Sequence, residues 1–474
     1  MIMKYQANSN TDPIYYQEAT TLAELIRNKE ISSVEVVQAH LDRIAEVNPR
    51  INGIVTLMAE QALISAALAD KAVSKGEALG PLHGVPFSIK DAIDTAGIPT
   101  KRGSKIFEDF IPEKDATAVT RMKNAGGIPL LKSNIPEFST FLESDNLVTG
   151  RSNNPWNPDH TSGGSSGGEA AVIAAGFSPI GLGSDVAISL RGPAAFTGIA
   201  ALKATHGRVP YTGHFPQALS RFWHIGAMAR TVRDVALGYS IINGGDGIDG
   251  YSIFAKDSGP ATFRLPGEKI RIGWMSSAAF GQVDPEIKAA VGATAVFLKE
   301  AGFDVEEVSL PFMEDDDVLD SYFNLIYGEM VPYMEKFTKG HESELHWTGK
   351  ALMNSRLLTG NDYAKALENI EKMKSHFANY FTKYDVLLSP VNPMTATAHG
   401  QINENGIKPN QVMAATAPFN MTGLPALSVP FRLSSKGLPI NIQLVSRWFD
   451  EATILSLGEL IQTNSAVYGL HAID

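Results

Sequence analysis

The chemistry-bearing residues concentrate in one stretch, residues 161–191, which reads T-S-G-G-S-S-G-G-E-A-A-V-I-A-A-G-F-S-P-I-G-L-G-S-D-V-A-I-S-L-R. Glycine is costly to order, so a glycine-dense stretch signals backbone placed for a purpose. Loops of this kind leave N–H groups free to face a ligand. Three serines here are candidates for attack on a carbonyl. Gly164-Ser165-Ser166-Gly167-Gly168 satisfies G-x-S-x-G, the nucleophile-elbow pattern, with Ser166 at its centre. That elbow needs a buried strand before it, whereas Asn157-Pro-Asp-His-Thr-Ser162 reads as a loop. Ser166-Gly-Gly-Glu169 also fits a capping box, so Ser166 is expected at a helix N-cap. Ser189 differs. It follows Asp185-Val-Ala-Ile188, just past what reads as a Gly-Leu-Gly turn. Consecutive main-chain N–H groups before a serine can place an oxyanion hole beside its attack site. The serine needs a base, and lysine fills that role in Ser-Lys arrangements.

One lysine stands out. Lys90 closes G-P-L-H-G-V-P-F-S-I-K, in which residues 85–89 read as a short buried strand. Two readings are open: a surface lysine with its head in water, or a lysine in a desolvated site whose neutral form accepts a proton. His83 reads as a turn or core histidine, because no Asp or Ser stands beside it in a triad-like pattern.

The elements that must position these residues follow from periodicity and turn signals. Helices are expected over 20–27, 33–47, 59–75, 117–126, 170–175, 228–242, 285–301 and 451–462, with Thr20 or Thr21 and Ser32 or Ser33 as N-caps. Strands are expected over 127–132, 198–205, 269–274, 303–308, 384–390, 422–430 and 438–445. Their alternation with helices indicates an α/β layer. Residues 153–158 read as a turn-rich lead into the glycine loop. Residues 319–383 are mostly helical, fairly polar and without a chemical motif, and read as peripheral. Residues 211–224 mix aromatics with His and Gly outside any clear period. They suit either a pocket wall or a loop packed on the core.

Composition narrows the function classes. The chain has 474 residues, 44% hydrophobic and 19% charged, enough to bury a large core. A formal net charge of −11 without a Lys/Arg cluster argues against nucleic acid or anionic membrane as the main partner. With no cysteine, disulfides, thiolate zinc sites and a Cys nucleophile are excluded. The eleven histidines make no metal-ligand spacing, so no metal and no cofactor is expected. Residues 1–16 are polar and lack a signal-peptide core, and no apolar run is long enough to span a bilayer. A cytoplasmic location is expected.

Taken together, G-P-L-H-G-V-P-F-S-I-K-D, K-S-N-I-P-E-F, T-S-G-G-S-S-G-G-E-A-A, G-S-D-x-x-x-S-x-R-x-P, T-G-L-P-A-L-S-V-P and G-L-P-I-N-I-Q-L-V-S-R resemble the amidase signature family, in order, over about residues 20–462. The resemblance implies one α/β domain over 1–474: a large twisted mixed β-sheet covered by helices on both faces, with a peripheral helical region at about 315–383. It implies a Ser-cisSer-Lys triad in which Ser189 is the nucleophile, Lys90 the base and Ser165 the bridging serine after a cis peptide bond. The main-chain N–H groups of Val186, Ala187 and Ile188 fall on the oxyanion hole, and Ser166, Asp185 and Arg191 on structural support. The implied activity is metal-free hydrolysis of a C–N bond through an acyl-enzyme.

The loops at 138–142, 211–223 and 391–399 are apolar and aromatic, and favour an aryl or alkyl amide or carbamate. Urethanases and aryl acylamidases of the family resemble this layout. A monomer or homodimer is expected. Two alternatives stand beside this reading: a non-catalytic or assembly subunit of the same fold, and the glutamine-hydrolysing subunit of a tRNA amidotransferase. The chain departs from the family pattern at one place. Glycine is usual directly before the nucleophile, and here Ala187 and Ile188 stand instead. A left-handed conformation at 188 would strain a β-branched residue by about 1–3 kcal/mol. The Ile188 side chain would also narrow the space beside the acyl carbon.

Overall fold

The computed structural model describes residues 12–254, 270–314, 317–355, 358–403 and 405–473. The polar N-terminal segment expected over 1–16 lies outside this set for residues 1–11, as does residue 269 of the strand expected at 269–274. In chain order the strands are β1 (Ile54–Leu57), β2 (Pro86–Lys90), β3 (Ile128–Ser133), β4 (Asn153–Asn154), β5 (Asn157–Thr161), β6 (Ile180–Asp185), β7 (Ala200–Lys203), β8 (His224–Ala229), β9 (Arg271–Trp274), β10 (Asp304–Glu307), β11 (Val386–Pro390), β12 (Ala426–Leu433) and β13 (Pro439–Ser446). All but β4 and β5, which form a small hairpin, join one sheet of order β1-β3-β2-β6-β8-β7-β12-β13-β11-β9-β10 among the described residues. The sheet is mixed. β2 runs parallel to β3 and β6, and β8 antiparallel to β6.

Its central strands are buried along their whole length, which is why they read as short apolar runs rather than alternating ones. Helices cover it. The largest apolar cluster draws on helices from Ala19–Arg27 to Glu451–Thr463, and a second lies under Ser33–Ile51, Ala59–Lys75 and Gly167–Ala174.

Local signals explain several boundaries. Ser32 and Glu35 form a capping box at the start of Ser33–Ile51. The first helix begins at Ala19, before either threonine expected to cap it. Its cap is tertiary: the Asp234 carboxylate accepts the N–H groups of Ala19 at 2.7 Å and Thr20 at 2.9 Å. The turn-rich lead at 153–158 is the β4–β5 hairpin. β1 and β8 carry no separate signal in the sequence, and the helix expected from 228 begins only at Val232.

The Gly-Leu-Gly segment at 181–183 is strand β6, not a turn. Its glycines are demanded by packing. A Cβ on Gly181 would overlap the Glu169 carboxylate and the Ser88 hydroxyl, and one on Gly183 would lie 2.6 Å from Met228 Sδ. Bare backbone here lets the helix Gly167–Ala174, whose residues are all buried, lie directly on the sheet. The C-terminal ends of parallel β2 and β6 therefore finish side by side, with Lys90 on one and Asp185 on the other. Ligand sites in sheets of this kind gather at such strand ends.

Candidate active site

Lys90 is fully buried at the end of β2, and its Nζ lies 2.7 Å from Ser165 Oγ and 3.4 Å from the Ser184 carbonyl. Burial pulls its pKa down to about 7, against the opposing pull of Asp185 and Glu169. Of the two readings of this lysine, the surface one is ruled out. The peptide bond between Gly164 and Ser165 is cis. Gly164 has a packing reason to be glycine: a Cβ there would lie 2.6 Å from the Leu142 carbonyl carbon and 2.7 Å from the Glu143 nitrogen.

Ser166 stands at the N-cap position, but the capping box does not form. Its hydroxyl instead bridges to β6, donating to the Ser184 carbonyl at 3.1 Å and accepting the Ser184 N–H at 3.2 Å. Glu169 turns inward and accepts from Ser88 and Ser133. Its burial raises the carboxyl to about 7, partly offset by those two hydroxyls. A buried carboxyl with two hydroxyl donors inside the core is better satisfied there than reaching back along its own helix. The Ser166 N–H reaches the Ser189 carbonyl at 3.3 Å, which joins the two serine loops.

The segment between β6 and the helix Arg191–Thr197 is held by one buried ion pair. Arg191 Nε donates to Asp185 Oδ2 at 3.0 Å, with both side chains fully buried. Burial would raise the Asp185 pKa, but the Arg191 guanidinium overcomes it and holds the carboxyl below its usual value. The same guanidinium donates to the carbonyls of Ala187 at 2.9 Å and Thr416 at 3.1 Å, and to the side chains of Gln443 at 2.9 Å and Asn420 at 2.5 Å. Asn420 also donates to the Asp185 carbonyl at 3.2 Å. A trans peptide plane holds C=O and N–H on opposite sides. Tying the carbonyls of Asp185 and Ala187 inward therefore turns the N–H groups of Val186 and Ile188 away from this anchor.

Ile188 is absent from the non-glycine residues with positive φ, so the expected strain does not arise. Its side chain packs over Gly192, where a Cβ would lie 2.5 Å from Ile188 Cγ1. Around the site the left-handed region is adopted instead by Phe138 at φ 56°, Ser139 at φ 60° and Leu219 at φ 57°.

Val186, Ala187, Ile188 and Ser189 together line a cavity of about 390 Å³. Opposite walls come from Ser139–Leu142 and from Leu219 and Trp223, as expected for two of the three loops. The rest of the 211–224 stretch braces the site from behind. His214 Nε2 lies 2.7 Å from Ser184 Oγ and His214 Nδ1 lies 2.9 Å from the Tyr211 hydroxyl. Burial drives the His214 pKa well below its usual value and keeps the ring neutral.

The loop at 391–399 is not on the wall. Its Thr397 carbonyl accepts the Thr161 N–H at 2.9 Å, so it supports the hairpin, and Asn403, Pro409 and Met413 line the cavity instead. His83 is also uninvolved, with Nε2 3.0 Å from the Ala69 carbonyl. The helical region read as peripheral supplies a large part of the wall: Tyr322, Phe323, Ile326, Tyr327 and Met330 from Asp317–Thr338, and Trp347, Thr348, Ala351 and Leu352 from Trp347–Met353. The spacing of 322, 323, 326, 327 and 330 marks one helix face, and that aromatic stripe was the available signal. Among the described residues no Asp, Glu, Lys, Arg or His lines the cavity. Among the described residues no His, Asp and Glu group has metal-site geometry, and no helix is long and apolar enough to cross a membrane.

Comparison with known proteins agrees with this architecture. The Amidase family profile matches residues 35–455. A glutamyl-tRNA(Gln) amidotransferase subunit of Carboxydothermus hydrogenoformans is 35% identical over 95% of this chain and 98% of its own. Among solved structures, a bacterial aryl acylamidase of the amidase signature family superposes with a TM-score of 0.87 at 26% identity, covering 96% of this chain and 97% of its own. The 6-aminohexanoate cyclic dimer hydrolase in complex with its substrate gives 0.86 at 27%, covering 97% and 99%.

Proposed function

The chain belongs to the amidase signature family, and on that premise we propose that it is a serine hydrolase that cleaves the C–N bond of apolar aryl or alkyl amides and carbamates. The observation that carries this reading is the cavity: Ser189 lies in its wall, and none of the described residues lining it is charged. An apolar acyl or aryl group is favoured there, whereas a zwitterion would be stripped of water without a compensating partner.

In the proposed mechanism Lys90 acts as neutral base. Ser165 passes its hydroxyl proton to Lys90 Nζ and takes the proton of Ser189 Oγ, which attacks the carbonyl carbon. The negative oxygen formed is met by the N–H groups of Val186, Ala187 and Ile188. Donors of this kind contribute roughly 10²–10³ each in rate. The relay then runs backward, the proton reaches the nitrogen, the C–N bond breaks and the amine leaves. Water, activated by the same relay, hydrolyses the ester on Ser189. With a carbamate that intermediate is a carbonate, and its hydrolysis releases carbon dioxide and the alcohol.

The similarity to the glutamyl-tRNA(Gln) amidotransferase protein gives the second reading, a glutaminase working beside partner proteins. The uncharged wall speaks against it, because free glutamine carries an ammonium and a carboxylate. A panel of anilides, N-aryl carbamates, primary amides and glutamine separates the two. Turnover of anilides or carbamates with none of glutamine supports the proposal, and glutamine as the only substrate overturns it. An activated-serine probe that fails to label Ser189 would instead favour a non-catalytic role in an assembly.

A further inference from the structure

One carboxyl joins two walls of the cavity. Glu137 opens the short turn Glu137–Ser139 and is 1% exposed. Its Oε1 accepts the Ser104 hydroxyl at 2.7 Å, and its Oε2 accepts the His346 main-chain N–H at 2.9 Å. Burial raises its pKa to about 7, offset first by the Ser104 hydroxyl and then by the His346 N–H and Lys350. A Cβ on Gly349 would overlap Glu137 Oε2 and lie 3.1 Å from Cδ, so the helix Trp347–Met353 is bare where the carboxyl rests. That helix has no side-chain cap of its own. It is also too short to hold its shape unaided.

Both partners of this bond run straight into the cavity wall. Glu137 is followed by the left-handed Phe138 and Ser139, and Ser139–Leu142 form one wall. His346 leads into Trp347, Thr348, Ala351 and Leu352, which form another. The two walls meet where the Phe141 and Trp347 rings pack edge to face, with centroids 4.7 Å apart. Trp347 is 50% exposed, so this junction stands at the mouth of the cavity. The Glu137–His346 bond is a buried polar tie between the two walls.

We propose that Glu137 is a positioning residue that sets the width of the cavity mouth, and with it the size of amide or carbamate that the enzyme holds. This rests on the serine-hydrolase reading above. Glu137 stands behind the wall and not in it, so it acts through the helix Trp347–Met353 and does not touch substrate. A polar bond out of water is strong, and removing one partner leaves the other unsatisfied. Releasing this tie frees Trp347 and its helix to shift. A small substrate tolerates that shift, whereas a large one that rests on both walls loses its fit.

The test separates the bond from the side chains around it. His346 has φ −62° and ψ 160°, and Leu345 before it has φ −72° and ψ 138°. Proline and the residue preceding it adopt such angles without strain. His346→Pro therefore removes the N–H together with the imidazole, and His346→Ala removes the imidazole alone. Glu137→Met removes both acceptors at similar length. Glu137→Gln keeps an oxygen for the His346 N–H and offers its amide to the Ser104 oxygen. KM and kcat are measured for acetanilide, for N-(2-naphthyl)acetamide, enlarged on the amine side, and for 4-phenylbutyranilide, enlarged on the acyl side. Relative to acetanilide, KM for at least one larger substrate should rise roughly five- to tenfold in His346→Pro and Glu137→Met, with kcat nearly unchanged. His346→Ala and Glu137→Gln should stay close to wild type. A loss of kcat at constant KM marks a merely structural role and overturns the proposal. So does an equal change in KM on all three substrates, or His346→Ala matching His346→Pro.

A measurement on the unaltered protein covers the case in which these variants fold poorly. In the wild type the His346 amide should exchange with solvent at least about tenfold more slowly than the Trp347 amide beside it. Equal rates also overturn the proposal. If the wild type hydrolyses none of the three substrates, the serine-hydrolase reading itself fails, while amide exchange still decides whether Glu137 holds the wall.

Discussion

Ile188 and Gly192 are fitted to each other. A Cβ on Gly192 would lie 2.5 Å from Ile188 Cγ1 and 2.9 Å from Cδ1, so the first turn of the helix Arg191–Thr197 is bare where the isoleucine rests. This contact explains how a β-branched residue is accommodated immediately before Ser189 without a left-handed backbone. It also makes the position of the Ile188 side chain depend on a residue outside the cavity wall.

Opposite changes at this pair should move acyl selectivity in opposite directions. Ile188→Gly enlarges the cavity beside the acyl carbon and should raise kcat/KM for branched acyl anilides several-fold relative to acetanilide. Gly192→Ala should displace Ile188 toward the cavity and lower the same ratio. Selectivity that moves the same way in both variants contradicts the coupling.

The proposed triad predicts a steep loss on truncation. Ser189→Ala should lower kcat by at least about 10⁴, and Lys90→Ala by nearly as much, with thermal stability retained. Peptide mapping after reaction with a fluorophosphonate should find the adduct on Ser189. A chelator should leave the rate unchanged, and clear inhibition would refute a mechanism that relies on side chains alone.

The pH dependence follows from Lys90. The base is its neutral form, and burial brings its pKa down to about 7. Below that value the neutral fraction falls tenfold per pH unit, so kcat/KM should drop on the acid side and level off above about pH 7. Glu169 is one of the groups holding the Lys90 pKa up. Glu169→Gln should therefore shift the acid limb to lower pH, and a shift to higher pH would show that Lys90 is not the titrating group.

Breaking the buried Asp185–Arg191 pair should cost more than a surface ion pair would. Arg191→Met leaves a fully buried carboxylate without its cation, a change worth about 3–5 kcal/mol. Denaturant unfolding should show that loss, together with reduced activity, because the Ala187 and Thr416 carbonyls lose their donor as well. A loss below about 1 kcal/mol would mean that the anchor is dispensable.

Much of this arrangement was legible in the chain itself. The α/β layering, most helix boundaries and the glycine-serine loop that leads into the helix Gly167–Ala174 follow from residue type and short-range spacing. These features depend on interactions within a few residues, which a linear pattern records. The misreadings share a cause. Gly181 and Gly183 read as a turn because glycine freedom suggests one, yet they are strand residues cleared for Glu169, Ser88 and Met228. Ser166 and Glu169 read as a capping box because the spacing fits, yet each bonds to a different strand.

The sequence by itself determined which groups are available: a serine after consecutive free N–H groups, a lysine at a strand end, and no cysteine. Only the tertiary structure decided what they became. It buried Lys90 far enough to pull its pKa to about 7, because desolvation depends on everything packed around the amine. It also brought the aromatic face of Asp317–Thr338 across the cavity from Ser189, more than a hundred residues away in the chain, because packing follows surface complementarity and not sequence distance.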